Sequence, residues 1–229
     1  MENEHWWFVA KRNMIGIILN KYAKEKNLKI LDLGCGTGAV MKFLDSKDYK
    51  VCGVDTNDAA LDYCSEKGLE VKKGEAENIN FDDNAFDIVL ALDLLEHLDS
   101  PEKSIREINR ILKKDGLLIA TVPAHQFLWS YHDVSLHHKK RYDKENFKNL
   151  FQDNFKIETI SWIHSSILLP AILIRLMNKM IGGKETSDVA KSGKTTNFIM
   201  GIVYFFELNI FRLFNYLPWG LSLLVVAKK

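Results

Sequence analysis

Three cysteines in 229 residues, Cys35, Cys52 and Cys64, are too few and too odd in number for a disulfide framework, and their spacing matches no zinc pattern. Cys52 falls in a strand pattern and Cys64 in a helical one, where a thiol behaves as a small core side chain. Reducing, cytoplasmic surroundings fit this usage. A charge excess is also lacking. The 31 basic and 30 acidic residues leave a formal net charge of +1, which excludes bulk nucleic-acid binding, and pairs such as Lys139-Lys140 read as solvated surface. No run reaches the roughly 18 uncharged apolar residues of a membrane span. The longest stretch between charges, Thr159 to Ile174, holds His164 and serines. The start, Met1-Glu2-Asn3-Glu4, is acidic, so no secretory leader is expected.

What is present begins with Lys29-Ile30-Leu31-Asp32-Leu33-Gly34-Cys35-Gly36-Thr37-Gly38. This reads as a buried strand breaking into a glycine turn, where a missing Cβ lets a ligand approach the backbone closely. Asp55 closes the next apolar run, Lys50 to Asp55. A glycine turn with an acid about 20 residues later is the geometry of a nucleoside ligand, with the carboxylate on the ribose hydroxyls. Gly34-x-Gly36-x-x-Ala39 formally passes as a dinucleotide fingerprint, which keeps a nicotinamide-dependent oxidoreductase as an alternative. Asp32 argues against it, because its carboxylate would repel a pyrophosphate and would favour a ligand with a cation near the turn.

These residues resemble motif I of the class I S-adenosylmethionine-dependent methyltransferases, the small methyltransferase-domain proteins of the type-11/12 kind. Gly74-Glu75-Ala76-Glu77 resembles the family's adenine loop, with Glu75 where the family usually has Asp. The run Phe86 to Leu90 resembles its fourth strand and Leu117 to Pro123 its fifth. Between them, Leu94-Leu95-Glu96-His97-Leu98 precedes a helix with Ser100 as N-cap, Pro101 at its first position, an apolar stripe of Ile105, Ile108, Ile111 and Leu112, and a stop at Asp115-Gly116. The match runs in order over residues 29 to 123. It implies S-adenosylmethionine as cofactor, bound by Asp32, Gly34, Cys35, Gly36, Gly38, Asp55, Thr56, Glu75, Ala76 and Leu92. It also implies an α/β, Rossmann-like, doubly wound, seven-stranded, mostly parallel sheet with an antiparallel last strand. A protein that binds the same cofactor without methylating is a further alternative.

Ahead of the core, His5-Trp6-Trp7-Phe8 opens a helical pattern running to about Lys24. The tryptophans either staple this helix to the sheet, the favoured reading, or form a lid over the cofactor with Arg12 pairing the methionine carboxylate. After the fifth strand, residues 123–142 hold four of the seven histidines and lie where a doubly wound fold meets its ligands. His125, Trp129, Tyr131, Arg141 and Tyr142 are candidates for the acceptor. His132 and His97 are candidate general bases, set against a polar loop whose histidines bond its own backbone. His132, Asp133 and His137 or His138 have helical spacing, but no third ligand is placed, so no metal is assigned. The segment resembles a His-x5-His-Lys-Arg-Arg-Tyr pattern of bacterial and archaeal methyltransferases associated with glycan or lipid-linked sugar pathways, with Lys140 replacing an Arg.

Phe155 to Trp162 reads as the sixth strand and Leu221 to Ala227 as the seventh. The intervening stretch is far longer than a hairpin needs. It holds two very apolar helices, Leu168–Ile181 stopped by Gly182-Gly183, and Phe198–Phe214, joined by a polar link over Lys184 to Thr196. A helical cap with its apolar faces buried is the favoured reading; a dimer face or a shallow membrane contact, aided by Arg175, Lys179, Lys184, Lys191 and Lys194, are the others. The chain therefore reads as a single domain over 1–229: an N-terminal segment 1–28, a core 29–163, an insertion 164–220 and a last strand 221–229. A small-molecule acceptor, sugar-containing or lipid-linked, no nucleic acid, and a monomer or homodimer are expected.

Overall fold

The computed structural model describes residues 5–23, 25, 27–181 and 193–229, with residues 178–181 described by their backbone alone. In chain order these form α1 (Trp6–Tyr22), β1 (Lys29–Leu33), α2 (Ala39–Asp45), β2 (Lys50–Asp55), α3 (Asp58–Glu66), β3 (Glu70–Lys73), β4 (Phe86–Leu92), α4 (Pro101–Ile111), β5 (Leu112–Pro123), α5 (Tyr131–Ser135), α6 (Lys144–Asn149), β6 (Lys156–Ile163), α7 (Ser165–Ile181), α8 (Lys194–Phe214) and β7 (Ser222–Lys228).

The sheet runs β3-β2-β1-β4-β5-β7-β6. β7 is antiparallel to both neighbours, and the other pairings are parallel. This is the expected Rossmann-like, seven-stranded, mostly parallel sheet with an antiparallel last strand. The central strands are apolar on both faces because helices cover both. Leu31, Leu33, Val89, Ala91, Leu118 and Ala120 pack with Ile105, Ile108 and Ile111 of α4 and Phe147 of α6. Ile30, Ile88, Leu90, Ile119 and Val226 face Met14, Ile15, Ile18 and Leu19 of α1.

Several local expectations shift. The helix expected to stop at Asp115-Gly116 ends at Ile111, and the chain is extended from Leu112. Ser100 stands at the N-cap of α4 without a side-chain capping bond; its backbone N–H instead donates to Glu77 Oε1 at 2.6 Å. Gly182, Gly183 and most of the polar link over 184–196 lie outside the described residues; its last three residues form the first turn of α8.

The favoured cap reading of the insertion is corrected. Only the inner face of α8 is buried, through Tyr204, Glu207 and Phe211. Its outer face exposes Phe198, Ile199, Ile202, Phe205, Phe206, Ile210 and Leu213, with Phe205 62% and Leu213 76% exposed. α7 adds exposed Leu169, Leu173, Ile174, Leu176 and Met177. By length and composition α8 is apolar enough to cross a membrane, yet only 17% of its apolar window is buried. Glu207, the acid in the middle of α8, turns inward. Its carboxylate accepts from the backbone N–H groups of Ser165 and Ser166 at 3.1 and 2.9 Å and from the Ser166 hydroxyl at 2.6 Å. An acid there satisfies the orphan donors that open α7, and the outer face of α8 carries no acid.

Candidate active site

The parallel strands end together at Leu33, Asp55, Leu92 and Pro123, and the candidate site lies beyond these ends. After β1 the chain turns at Gly34, with φ +77°, and the N–H groups of Gly34 and Cys35 donate to the Val54 carbonyl at 2.8 and 3.1 Å. The next amide, Gly36 N–H, donates to Asp55 Oδ2 at 2.8 Å, while Asp55 Oδ1 accepts from Asn57 N–H at 2.9 Å. The glycine turn and the acid that closes β2 are therefore one unit.

The glycines have different reasons to be glycine. A Cβ on Gly36 would meet nothing within 4 Å, so the space over this amide is open for a ligand. A Cβ on Gly38 would fall 2.6 Å from Leu69 and 2.9 Å from the Cys64 sulfur, so that position serves packing. Cys35 is buried, its sulfur against Gly53, which removes it from direct cofactor contact by its side chain. Thr56 and Glu75 are exposed beside the strand ends, while Ala76 and Leu92 are buried. Arg110 fastens the loop after Ala76 by donating to the Ile79 and Phe81 carbonyls, each at 2.8 Å.

Asp32 is buried, 3% exposed. Burial raises its pKa to about 7, against the opposing pull of Lys11, with Asp55 adding repulsion. Lys11 is a functional candidate that the sequence reading passed over in favour of Arg12. It shares a helix face with Met14, Ile15 and Ile18, at i+3, i+4 and i+7, and so points at the sheet; Arg12 sits about 100° round the helix, and both side chains are half-buried. Lys11 Nζ lies 2.5 Å from Asp93 Oδ2. Burial would raise Asp93, but the Lys11 ammonium outweighs it and holds the acid below its usual range. Asp93 also receives the Thr121 hydroxyl at 2.8 Å.

The tryptophans do not staple α1 to the sheet. Trp7 stacks on His164 with ring centroids 4.2 Å apart, and Trp6 packs on Tyr204 at 5.3 Å. The Tyr204 hydroxyl meets His164 Nδ1 at 2.9 Å. Burial lowers His164 to about 4, so it is a neutral packing partner at ordinary pH. The N-terminal aromatics thus join α1 to the insertion.

The loop after β5 is built around Asp133. Arg141, expected at the acceptor, is buried inside the loop: its Nε and Nη2 donate to Asp133 at 2.7 and 3.1 Å, and Nη1 to the Ala124 carbonyl at 3.1 Å. Tyr142 is likewise core; it packs on Phe147, and its hydroxyl donates to the Leu95 carbonyl at 3.2 Å. His125 stacks on Trp162 at 4.7 Å with Nε2 2.9 Å from the Gly220 carbonyl, latching the loop to the segment before β7. These three placements share a cause: a loop this long needs internal partners for its polar groups. Trp129 is half-buried, Tyr131 exposed and His132 half-buried on the same loop. The ring of His97 lies 4.8 Å from that of His138, and the His132 ring lies 6.5 Å from His138. Burial, then the neighbouring His138, lowers the pKa of His97, which favours its neutral form. Beneath the pair lies Glu96, fully buried, with no hydrogen bond to either carboxylate oxygen.

An open space above the Gly36 amide, the adjoining Asp55 carboxylate and the buried Asp32 fit a nucleoside cofactor that carries a cation. Comparison with known proteins agrees. A family model described as a methyltransferase domain matches residues 31–120. An uncharacterized protein of Methanocaldococcus jannaschii is 30% identical over 169 residues, covering 69% of this chain and 72% of that protein. A ubiquinone biosynthesis O-methyltransferase of Maricaulis maris is 37% identical over 101 residues, covering 41% of this chain; the chain spans only 40% of that enzyme's length. Among solved structures, a SAM-dependent methyltransferase from Archaeoglobus fulgidus superposes with a TM-score of 0.61 at 18% identity, covering 95% of this chain and 94% of that one.

Proposed function

This chain belongs to the class I S-adenosylmethionine-dependent methyltransferases, and from that premise we infer that its acceptor is carried on a lipid and met at a membrane surface. S-adenosylmethionine brings a methyl already activated on a sulfonium, so positioning supplies most of the catalysis. Here Asp55 and the Gly36 amide would hold the nucleoside end, and Asp32 with Lys11 and Asp93 would orient the charged end. The loop over residues 124–142 would face the acceptor.

The apolar outer face shared by α7 and α8 carries the lipid reading. Burying ~300 Å² of such a surface contributes roughly 7 kcal/mol at about 25 cal/mol per Å², enough for useful affinity after ordering costs. Lys194 and Arg212 flank the outer face of α8, where cations meet anionic headgroups. The helix would lie in the interface, because Tyr204 and Glu207 tie its inner side to the protein. Arg175 of α7 donates to the Leu128 carbonyl, so the same surface adjoins the acceptor loop. The relative named for ubiquinone biosynthesis supports a greasy acceptor.

Flotation with neutral and anionic vesicles tests the reading. The protein should float with anionic vesicles, and Phe198→Glu with Phe205→Glu should abolish flotation while cofactor affinity stays unchanged. No flotation with either vesicle would reject it, as would a stable dimer that the same pair of substitutions dissociates. Release of S-adenosylhomocysteine upon addition of membrane lipid extract, and not of the water-soluble fraction, is the matching activity result.

A further inference from the structure

The turn after β4 and the loop after β5 bring Glu96, His97 and His138 together, one nitrogen or oxygen from each lying within 4.8 Å of the others. We propose that these three side chains bind a divalent transition-metal ion of the zinc class.

Glu96 is the first reason. Its carboxylate is fully buried and makes no hydrogen bond, yet two imidazoles stand over it, with His138 Nε2 4.0 Å from Glu96 Oε1. A buried carboxylate with no partner is expensive, and a cation between it and the rings removes that cost.

The outer partners are the second reason. His138 Nδ1 lies 3.0 Å from Asp133 Oδ1, which leaves Nε2 to face Glu96. Asp133 is itself fixed by Arg141 and by the Ser130 N–H at 2.9 Å. A carboxylate or carbonyl on the far nitrogen is how proteins orient a metal-binding imidazole. This explains why Arg141 and Asp133 are spent inside the loop.

Two imidazoles and one carboxylate suit a borderline ion such as Zn²⁺. Zinc at bond lengths of about 2.0–2.2 Å holds its ligand atoms roughly 3.3 Å apart, so binding would draw the set inward and clamp the acceptor loop to the end of β4. Three protein ligands leave a further position for an oxygen donor, water or an acceptor oxygen. The sequence showed the His138 side of this cluster without a third ligand, because Glu96 and His97 are some forty residues away along the chain.

The test does not depend on the acceptor or on membranes. Chelator-treated full-length protein titrated with Co²⁺ should develop a visible d–d band that saturates at one equivalent and is displaced by Zn²⁺. His97→Ala, His138→Ala and Glu96→Gln should each weaken Co²⁺ binding at least 100-fold, and Asp133→Asn roughly 10- to 100-fold. His137→Asn, at an exposed histidine beside the cluster, should bind as the parent does. S-adenosylmethionine affinity checks that each variant is folded; Glu96→Gln keeps the shape of the site and serves if a histidine variant fails that check. The proposal is overturned if no band forms, or if the band survives Glu96→Gln and whichever histidine variants fold.

Discussion

Lys11 Nζ stands 2.5 Å from Asp93 Oδ2, so the N-terminal helix is tied by charge to the end of the fourth strand. The side chains are 16% and 31% exposed, so the pair is partly screened. Its loss should still cost about 1.5–3 kcal/mol, the range for hydrogen bonds to charged groups. Lys11→Met should therefore lower the melting temperature by several degrees. It should also raise the pKa of Asp32, which Lys11 now opposes. An unchanged thermal midpoint would show that the contact contributes nothing.

Asp55→Ala removes both the acceptor of the Gly36 N–H and the carboxylate placed for the ribose. S-adenosylmethionine binding should weaken by about 1.5–3 kcal/mol, roughly 10- to 150-fold. Calorimetry with the fold verified by circular dichroism measures this, and parental affinity would remove Asp55 from the cofactor site.

Gly36 and Gly68 offer an internal control. Both have positive φ, +52° and +74°, and a Cβ on either meets nothing within 4 Å. Alanine at either site should cost a similar 1–2 kcal/mol of backbone strain. Only Gly36→Ala should also lose cofactor affinity, by tenfold or more, because only there does the Cβ enter ligand space. Equal affinity in the two variants would place the ligand elsewhere.

The buried Asp32, with its pKa near 7, gives a pH dependence of defined sign. The folded state holds this proton more tightly than the unfolded chain, so between about pH 4 and 7 the group's contribution to stability falls as pH rises. Binding of a cationic cofactor favours the ionised form. Affinity should rise with pH, up to tenfold per unit, and level off above about 7, with a proton released on binding at pH 6. Asp32→Asn should bind weakly with a flat profile. Calorimetry from pH 5.5 to 8.5 reads both, and a flat parental profile would show that Asp32 does not face the charged end.

Much of the site's first half was legible because it is local. The turn from Gly34 to Gly38 and the acid at Asp55 sit on neighbouring strands, and parallel pairing of β1 with β2 brings them together without any distant choice. The helix face that carries Lys11 was also legible through its period with Met14, Ile15 and Ile18, although a reading of charge alone singled out its neighbour Arg12. The acceptor loop was less legible, because Arg141, Tyr142 and His125 look alike in sequence whether they meet a ligand or partners within the protein.

By itself the sequence determined the glycine turn, the acid that closes β2 and, through the motifs that resemble the methyltransferase family, the cofactor class, since these are features of short segments. Only the tertiary structure decided the rest. It turned Glu207 inward to cap α7 and left the opposite face of α8 apolar, something hydropathy cannot resolve because it ignores direction. It also set Glu96 and His97 under His138. Those residues are far apart in the chain, and their proximity exists only because β4 and β5 lie side by side in the sheet and release their loops at the same edge.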